Sequence, residues 1–574
     1  MEMSASARSR EDTPHDKLDE MVAVLKDHAR PFARLSPSER AALVRECIPR
    51  VVEKAEAWVE AACEAKGLSP SSPASSEEWL GGPMTTVRNL RLLAESLERI
   101  ARTGSPGPDA SKFSRAADGV TTVSYFPHTG IEAALFSGIT GEIRFQPGVT
   151  AEQARAKQGS FYKKKDPDGG VALILGAGNV ASIPPMDALY KLFVEGEVCL
   201  VKLNPVNEYL EPFYNHIFGP LVDRGFVRFV KGGGEVGSYL CQHKLVDSVH
   251  ITGSDRTHDL IVWGPPGPER DRRMAADDPL LKKPISSELG SVTPLVIVPG
   301  PYTDKELQYL AEYIATTVVN NASCNCNAGK MLVTSKHWAQ RDDLLAKVRA
   351  VLRAQAPRKA YYPGAFDRFE ALTKGRDVEK LGEAGEGKLP WACIFGLDAN
   401  AKDEPLFTTE PFCPILSEAR LDAHGGAEFL DEATRFCNDR LWGTLSASVF
   451  IHPRSQSDPA THEALERSVA ALKYGAVGVN VWPGVIYGIV SAPWGAHPSS
   501  TMKNIAGGLG WVHNTFMFED IEKTVVRGPL TAFPKPPMFV THANAREVAR
   551  RLIDLEADPR WWKVPGVAVN AMMG

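Results

Sequence analysis

Long apolar runs are missing from this 574-residue chain: no stretch of about eighteen consecutive apolar residues occurs, which argues against a transmembrane helix. An excess of basic charge is missing as well. Lys and Arg number 65 against 70 Asp and Glu, a formal net charge of -5, so no nucleic acid and no membrane surface is an expected partner. The stretch Met1 to Asp16 is polar and lacks an apolar core, so no signal peptide is expected and residues 1–16 read as disordered. There is no Cys-x-x-Cys pair and no His-Glu-x-x-His, the spacings that a metal site would use, so no metal ligands are assigned. The nine cysteines are scattered and odd in number, which excludes a disulfide framework and suits a reducing cytoplasm.

What is present is the patterning of a large α/β protein. The length prior is about four domains, although large α/β enzymes often use fewer. From Lys17 to about Arg102 the periodicity is mostly helical, with Ser36-Pro37-Ser38-Glu39 as a helix-starting turn. Between Gly119 and Asp168 it becomes strand-like, and Glu142–Gln146 and Ser160–Lys164 predict a small β protrusion. From Val171 onward short apolar strands (171–175, 198–203, 226–230, 248–252) alternate with helices, as in a parallel sheet with helices on both faces. Residues 264–280 read as a polar surface loop. A second α/β region follows, with a strand at 294–298, a helix at 304–319, and strands at 331–334, 446–451 and 477–482. The tail carries an amphipathic helix (Val548, Leu552, Leu555) and Trp561-Trp562, which could pack on the body or on a neighbouring subunit.

Several short segments carry chemistry. Gly176-Ala177-Gly178-Asn179-Val180-Ala181 follows a strand and precedes a helix, which fits a dinucleotide turn. The acidic residue that such a turn needs at the end of the next strand is absent, because that strand ends in Lys202. Asn179 is therefore the residue of interest in this loop. The stretch Asn320 to Lys330 places Cys324 and Cys326 among small and amide residues, between a helix and a strand, where a thiol can be held rigidly with a main-chain N–H beside it. Two buried thiols with no role would look the same, since free Cys is among the most buried residue types. Glu288, read as lying in a loop just before the strand at 294–298, could be a general base, and most lone loop glutamates are merely solvated. Ile251-Thr252-Gly253-Ser254 ends a strand and opens a helix whose free N–H groups could hold a phosphate.

Taken in order, Gly178-Asn179, Val201-Lys202, Ile251–Ser254, Glu288-Leu289-Gly290, Cys326–Gly329, Glu410–Pro414 and Leu441–Ser446 resemble the aldehyde dehydrogenase superfamily over roughly residues 17–530. The resemblance implies an α/β fold: a Rossmann-like NAD(P)-binding domain (17–140 and 166–286), a catalytic domain (287–519), β elements for oligomerisation (141–165 and 520–530) and a C-terminal extension (531–574). It implies Cys326 as nucleophile, Asn179 as oxyanion donor together with the Cys326 N–H, and Glu288 as base for the deacylating water. It also implies Lys202 and Glu410 at the cofactor riboses, Gly253 and Ser254 at the pyrophosphate, and Phe412 near the nicotinamide. NAD or NADP, a small aldehyde, and a homodimer or homotetramer are the expected partners.

Departures from that pattern are visible. Ser291-Val292-Thr293-Pro294 stands where Gly-Lys-Ser-Pro is usual, Ala177-Gly178 where Pro-Trp is usual, and Pro205 where a carboxylate is usual, which leaves NAD against NADP open. Two other functions compete. One is a CoA-acylating or acyl-CoA-reducing relative, which generally lacks the hydrolytic base; the other is an inactive structural or binding relative.

Overall fold

The computed structural model describes residues 12–574. Residues 1–11 of the segment expected to be disordered lie outside the described residues. Residues 12–16 correct that expectation: the Thr13 N–H donates to the Lys231 carbonyl at 3.1 Å, and helix His15–Ala33 begins there. Helix Pro37–Lys66 starts as predicted. The Ser36 hydroxyl accepts from the Glu39 N–H, the Glu39 carboxylate accepts from the Ser36 N–H, and Gly67 (φ 67°) ends the helix in left-handed backbone.

Ten strands are numbered along the first part of the chain: β1 Phe113–Arg115, β2 Thr121–Phe126, β3 Thr140–Phe145, β4 Val171–Leu175, β5 Val198–Lys202, β6 Val227–Val230, β7 Ser248–Gly253, β8 Ile285–Leu289, β9 Pro294–Ile297 and β10 Met331–Ser335. One sheet has six strands in the order Gly508–Leu509, β8, β7, β4, β5, β6. Its five long strands are parallel, and β4 and β5 are buried on both faces, which is why they read as unbroken apolar runs. The connections leave β4 first towards β5 and β6 and then return to β7 and β8. The chain therefore reverses direction at β4, and the crevice beyond its carboxyl end is where such sheets bind ligands. The Gly176–Ala181 loop opens at that point.

The second sheet has eleven strands: β1, β2, β3, Ile521–Arg527, Ala476–Val479, Ser446–Phe450, β9, β10, Ile415–Leu421, Trp391–Asp398 and Glu379–Leu381. The stretch Asn320 to Lys330 leads into β10, an inner strand of this sheet. Two expectations are corrected here. Ser160–Lys164 is not a strand. Helix Ala151–Lys157, with a Thr150–Gln153 capping box, and Gly159 in left-handed backbone (φ 61°) turn the chain into a single 3-10 turn at Ser160–Lys163. Residues 264–280 are not a plain loop, since helix Pro268–Ala276 forms there and buries none of its residues.

The protrusion strand β3 and the strand Ile521–Arg527 pair with each other within one chain, and the latter also pairs with Ala476–Val479. The sheet's edge on this side is β1, whose residues are half-buried to exposed.

The tail packs on the body. Glu556, in helix Ala545–Ala557, accepts from Arg88 at 2.8 Å and pairs with Arg91, and Arg88 also reaches Glu132 and the Ile489 carbonyl. Burial pushes the Glu556 carboxyl up, but Arg88 and Arg91 outweigh it and hold it below the usual carboxylate range. Its contribution is present above the unfolded-state value and lost as pH falls through the depressed folded one. Glu556→Ala leaves two buried guanidiniums short of a partner, so denaturant unfolding should show a loss of about 3–5 kcal/mol at neutral pH. A smaller deficit at acid pH, where the wild-type carboxylate is itself protonated, is the expected control.

Candidate active site

The segment before the two cysteines is backbone that L-residues avoid. Helix Asp304–Val319 ends, and Asn321, Ala322 and Ser323 follow with φ of 53°, 53° and 63°. Each such residue costs on the order of 1–3 kcal/mol and persists only where its surroundings hold it. Asn321 does the holding. Its N–H donates to Glu77 Oε2 at 2.9 Å, its Nδ2 to the Asn179 carbonyl at 2.9 Å and to Asn325 Oδ1 at 2.9 Å, and its Oδ1 accepts from the Tyr361 hydroxyl at 2.8 Å. Glu77 is in turn fixed by Arg358 at 2.8 Å.

This loop separates the two thiols. Among residues 321–330 all are buried except Cys326, which is half-buried. The Cys324 thiol donates to the Ala322 and Phe412 carbonyls at 3.6 and 3.7 Å, and burial pushes it up to about 12. Cys324 is committed to structure; Cys326 is the thiol left open.

Lys330 fixes the other side of Cys326. With 1% of its side chain exposed, it donates to the Cys326 carbonyl and the Ser291 carbonyl, both at 2.9 Å, and pairs with Glu410. Thr293 Oγ1 adds a second donor to the Cys326 carbonyl at 3.2 Å. The lysine that the resemblance expects at position 292 is a valine here, and a buried ammonium reaches the same segment from Lys330 instead. A Cβ on Gly290 would fall on the Glu410 carboxylate, so the glycine is what admits that carboxylate beside the loop.

Asn179 lies in the loop after β4, as the sequence implied. Both glycines of that turn are required by packing within the chain: a Cβ at Gly176 would lie 2.9 Å from Pro184 Cβ, and one at Gly178 2.7 Å from Asn204 Oδ1. Their presence therefore needs no pyrophosphate to explain it. Asn179 Nδ2 donates to the Cys324 carbonyl at 3.0 Å, which uses one of its two amide hydrogens. Its carbonyl receives Lys66 at 2.9 Å, and Lys66 is itself paired with Glu78.

Glu288 is corrected from loop to strand. It is the penultimate residue of β8, in register with Thr252 on β7. It is buried, and its Oε1 has no hydrogen-bond partner among the described residues. Its carboxyl faces the Cys326 thiol and the Trp494 indole. Burial, reinforced by the charges of Asp187 and Glu410 and opposed by those two donors, pushes it up to about 8. Burial first, and then the Glu288 charge, lift the Cys326 thiol well above its ordinary value. At neutral pH the two groups therefore hold their protons, and a negative charge on sulfur requires Glu288 to become a base.

The residues assigned to a cofactor surround the same crevice. Lys202 ends β5, Gly253 ends β7, and Ser254 caps helix Asp255–Trp263, its hydroxyl accepting from the Thr257 N–H at 3.2 Å. These positions fit an anionic dinucleotide: an ammonium and a helix N-terminus at the carboxyl edge of a parallel sheet, at its reversal point. Glu410 is already shared between Lys330 and the Ser291 N–H, so a ribose there would have to share it. Phe412, half-buried with φ of 45°, packs against Tyr362 at 4.8 Å between ring centroids.

Asn321, Lys330, Trp494 and Tyr487 escaped sequence reasoning. Only the run of amides at 320–327 offered a signal, and it could have pointed to Asn321.

Two other features lie apart from Cys326. A cavity of about 730 Å³ between Gly159–Gly169 and Met517–Glu519 includes none of the residues assigned above. His337, Asp422 and His424 bring donor atoms within 4.8 Å of one another, the one such cluster among the described residues. The two imidazoles stack 3.7 Å apart at 19°, so their in-plane lone pairs run side by side rather than converging on one ion.

The fold is thus an α/β protein of two such sheets, with a half-buried thiol facing a buried carboxyl. The comparisons carry the assignment further. Residues 132–365 match the model of the aldehyde dehydrogenase family. A benzaldehyde dehydrogenase, mitochondrial, from Antirrhinum majus is 25% identical over 272 residues, a match that spans 45% of this chain and 45% of that relative. An NAD-dependent aldehyde dehydrogenase from Sinorhizobium meliloti is similar in structure with a TM-score of 0.57 at 17% identity, over 90% of this chain and 87% of that one. An NADP-dependent glyceraldehyde-3-phosphate dehydrogenase from Bacillus halodurans C-125, complexed with NADP, matches with a TM-score of 0.58 at 15% identity, over 89% of this chain and 91% of that one. The family match covers residues 132–365, less than half of the chain, and the likeness to the solved structures extends the fold over about 90% of it. Among the described residues, no helix is long and apolar enough to cross a membrane.

Alkylation tests the distinction between the thiols. Iodoacetamide mapped by mass spectrometry should label Cys326 ahead of the eight buried cysteines, slowly at pH 7 and faster as pH rises, because the thiolate is the reactive form. Preferential labelling of Cys324 would reverse the assignment.

Proposed function

We propose that the protein oxidises an aldehyde to a carboxylic acid with NAD or NADP. The observation that carries this reading is Glu288, a buried carboxyl with an unpartnered oxygen, facing the one open thiol of the loop. Glu288 takes the Cys326 proton, and the sulfur adds to the aldehyde carbon. The developing oxyanion is met by the remaining Asn179 amide hydrogen and the Cys326 N–H. Asn321, Lys330 and Thr293 keep these donors from shifting as charge builds, and such fixed donors are often the largest single contribution to acyl-transfer catalysis. When bound, the nicotinamide supplies the acceptor for the hydride expelled from the adduct. A thioester remains on Cys326. Glu288 first releases the proton it took from Cys326 to solvent, and as a carboxylate again it removes a proton from the water that hydrolyses the thioester.

Lys202, Gly253 and Ser254 are the residues proposed to hold the cofactor's ribose and phosphates, with Glu410 and Phe412 on the nicotinamide side. The acylating alternative is disfavoured by the same observation, since a CoA-dependent transfer needs no hydrolytic base beside the sulfur. Trp494 and Tyr487 near the thiol favour an uncharged aldehyde, and the name of the Antirrhinum relative makes benzaldehyde the first substrate to try. A homodimer or homotetramer is part of the proposal through the family resemblance alone; a purely monomeric species in sedimentation velocity removes it.

A panel of aldehydes with NAD and NADP, followed by absorbance of the reduced nicotinamide, tests the activity, and Cys326→Ala should abolish it. Asn179→Ala should lower kcat by roughly a hundredfold to a thousandfold. Wild-type activity should climb with pH through about 8 as Glu288 loses its proton, and Glu288→Gln should flatten that limb and leave the thioester unhydrolysed. Turnover that requires CoA would replace hydrolysis with acyl transfer.

A further inference from the structure

Behind Glu288 lies a chain of buried polar groups that the reaction above does not use. Asp187, in helix Ile183–Tyr190, accepts a hydrogen bond from Thr252 Oγ1 at 2.8 Å. Its Oδ2 is also 3.4 Å from His250 Nε2, and the two side chains are 2% and 3% exposed. The other ring nitrogen, His250 Nδ1, is 2.9 Å from Ser286 Oγ, and Ser286 is half-exposed. The two strands set this geometry. His250 is in register with Ser286 and Thr252 with Glu288, so all four side chains stand on one face of the sheet in two adjacent rungs. Thr252 is thus the cross-strand neighbour of Glu288, and its hydroxyl is the one that donates to Asp187.

His250 and Asp187 lie together in the interior, 3.4 Å apart. Buried groups of this kind are expensive unless paired, and here the pairing runs in one direction, from the rung of Glu288 to the surface. The groups facing Glu288 are Cys326, Asp187, Glu410 and Trp494; those facing His250 are Asp187, Thr252 and Ser286.

We propose that the His250–Asp187 pair is the proton exit of Glu288, taking the proton collected during thioester hydrolysis and releasing it to solvent at Ser286. The proposal rests on the reading of Cys326 and Glu288 given above. In the hydrolysis the water oxygen bonds to the acyl carbon, one water proton passes to Glu288, and the C–S bond breaks with its electron pair on sulfur. Glu288 must then be emptied while the mouth of the pocket is still filled by product. The proton crosses the Thr252 rung to Asp187, an imidazole nitrogen accepts it, and the opposite nitrogen gives its own proton towards Ser286 and water. Only a proton moves, and no other reactant is required. The pair acts through Glu288 and not on the substrate.

An ester probe tests this without any nicotinamide. p-Nitrophenyl acetate acylates a reactive thiol, so a burst of nitrophenolate counts acylation of Cys326, and the steady state that follows reads deacylation. Asp187→Asn and His250→Asn should keep a burst of about one equivalent per chain, and each should slow the steady state at least about tenfold, with the double variant little worse than either. A steady-state rate within about twofold of wild type in both variants overturns the proposal. Loss of the burst together with the steady state overturns it too, since the pair would then belong to the framework of the site. In the wild-type enzyme the deacylation rate should curve against deuterium fraction, because more than one proton moves; a linear dependence also overturns it. Cys326→Ala separates the two readings: a burst that survives that substitution refutes the nucleophile assignment itself.

Discussion

Three consecutive L-residues in left-handed backbone, Asn321 to Ser323, are the constraint on which the site depends. That geometry lifts the chain off the end of a helix and presents Cys326 while its neighbours stay sealed. It is unfavourable locally, so it exists only because the Asn321 side chain, Glu77, Tyr361 and the carbonyl of Asn179 close around it. The same bonds tie the loop after β4 to the loop before β10, two segments from different sheets. Cys326 and Asn179 are therefore positioned by one shared set of contacts, not by two independent ones.

Electrostatics follows from that geometry. The crevice is dry enough to raise both Glu288 and Cys326, yet Lys330 is buried within reach of the Cys326 carbonyl and spends its charge on Glu410. An ammonium placed against main-chain carbonyls stabilises position more than it stabilises a thiolate. Glu288 and Cys326 accordingly rest as a neutral pair, in surroundings that disfavour charge.

The fold was legible wherever burial on both faces wrote an uninterrupted apolar run, as in β4, β5 and β10, and wherever a helix announced its start with a cap, as at Ser36. It failed at β8, whose Ile285-Ser286-Ser287-Glu288-Leu289 offers no apolar run even though its last three residues are buried. It failed again at Ser160–Lys164, where aromatic residues suggested a strand and Gly159 turned the chain instead. Cys326, Asn179 and Glu288 could be named from short motifs, and the structure gathers all three at one crevice. Lys330 and Asn321 could not, since their roles depend on which carbonyls come near them, and periodicity does not encode that. The pairing of β3 with Ile521–Arg527 inside one chain was equally hidden, because a strand's pattern specifies its faces and not its neighbour.

Arg88 has a consequence that reaches beyond its ion pairs. The guanidinium that receives Glu556 from the tail also donates to the Ile489 carbonyl at 2.9 Å, at the end of the helix bearing Tyr487, and the Tyr487 hydroxyl is 3.0 Å from Ser182 Oγ. The last stretch of the chain is thus mechanically continuous with the helix that packs Tyr487 near Cys326. Sequence drift in the C-terminal helices can shift that helix without any change among the residues around the thiol.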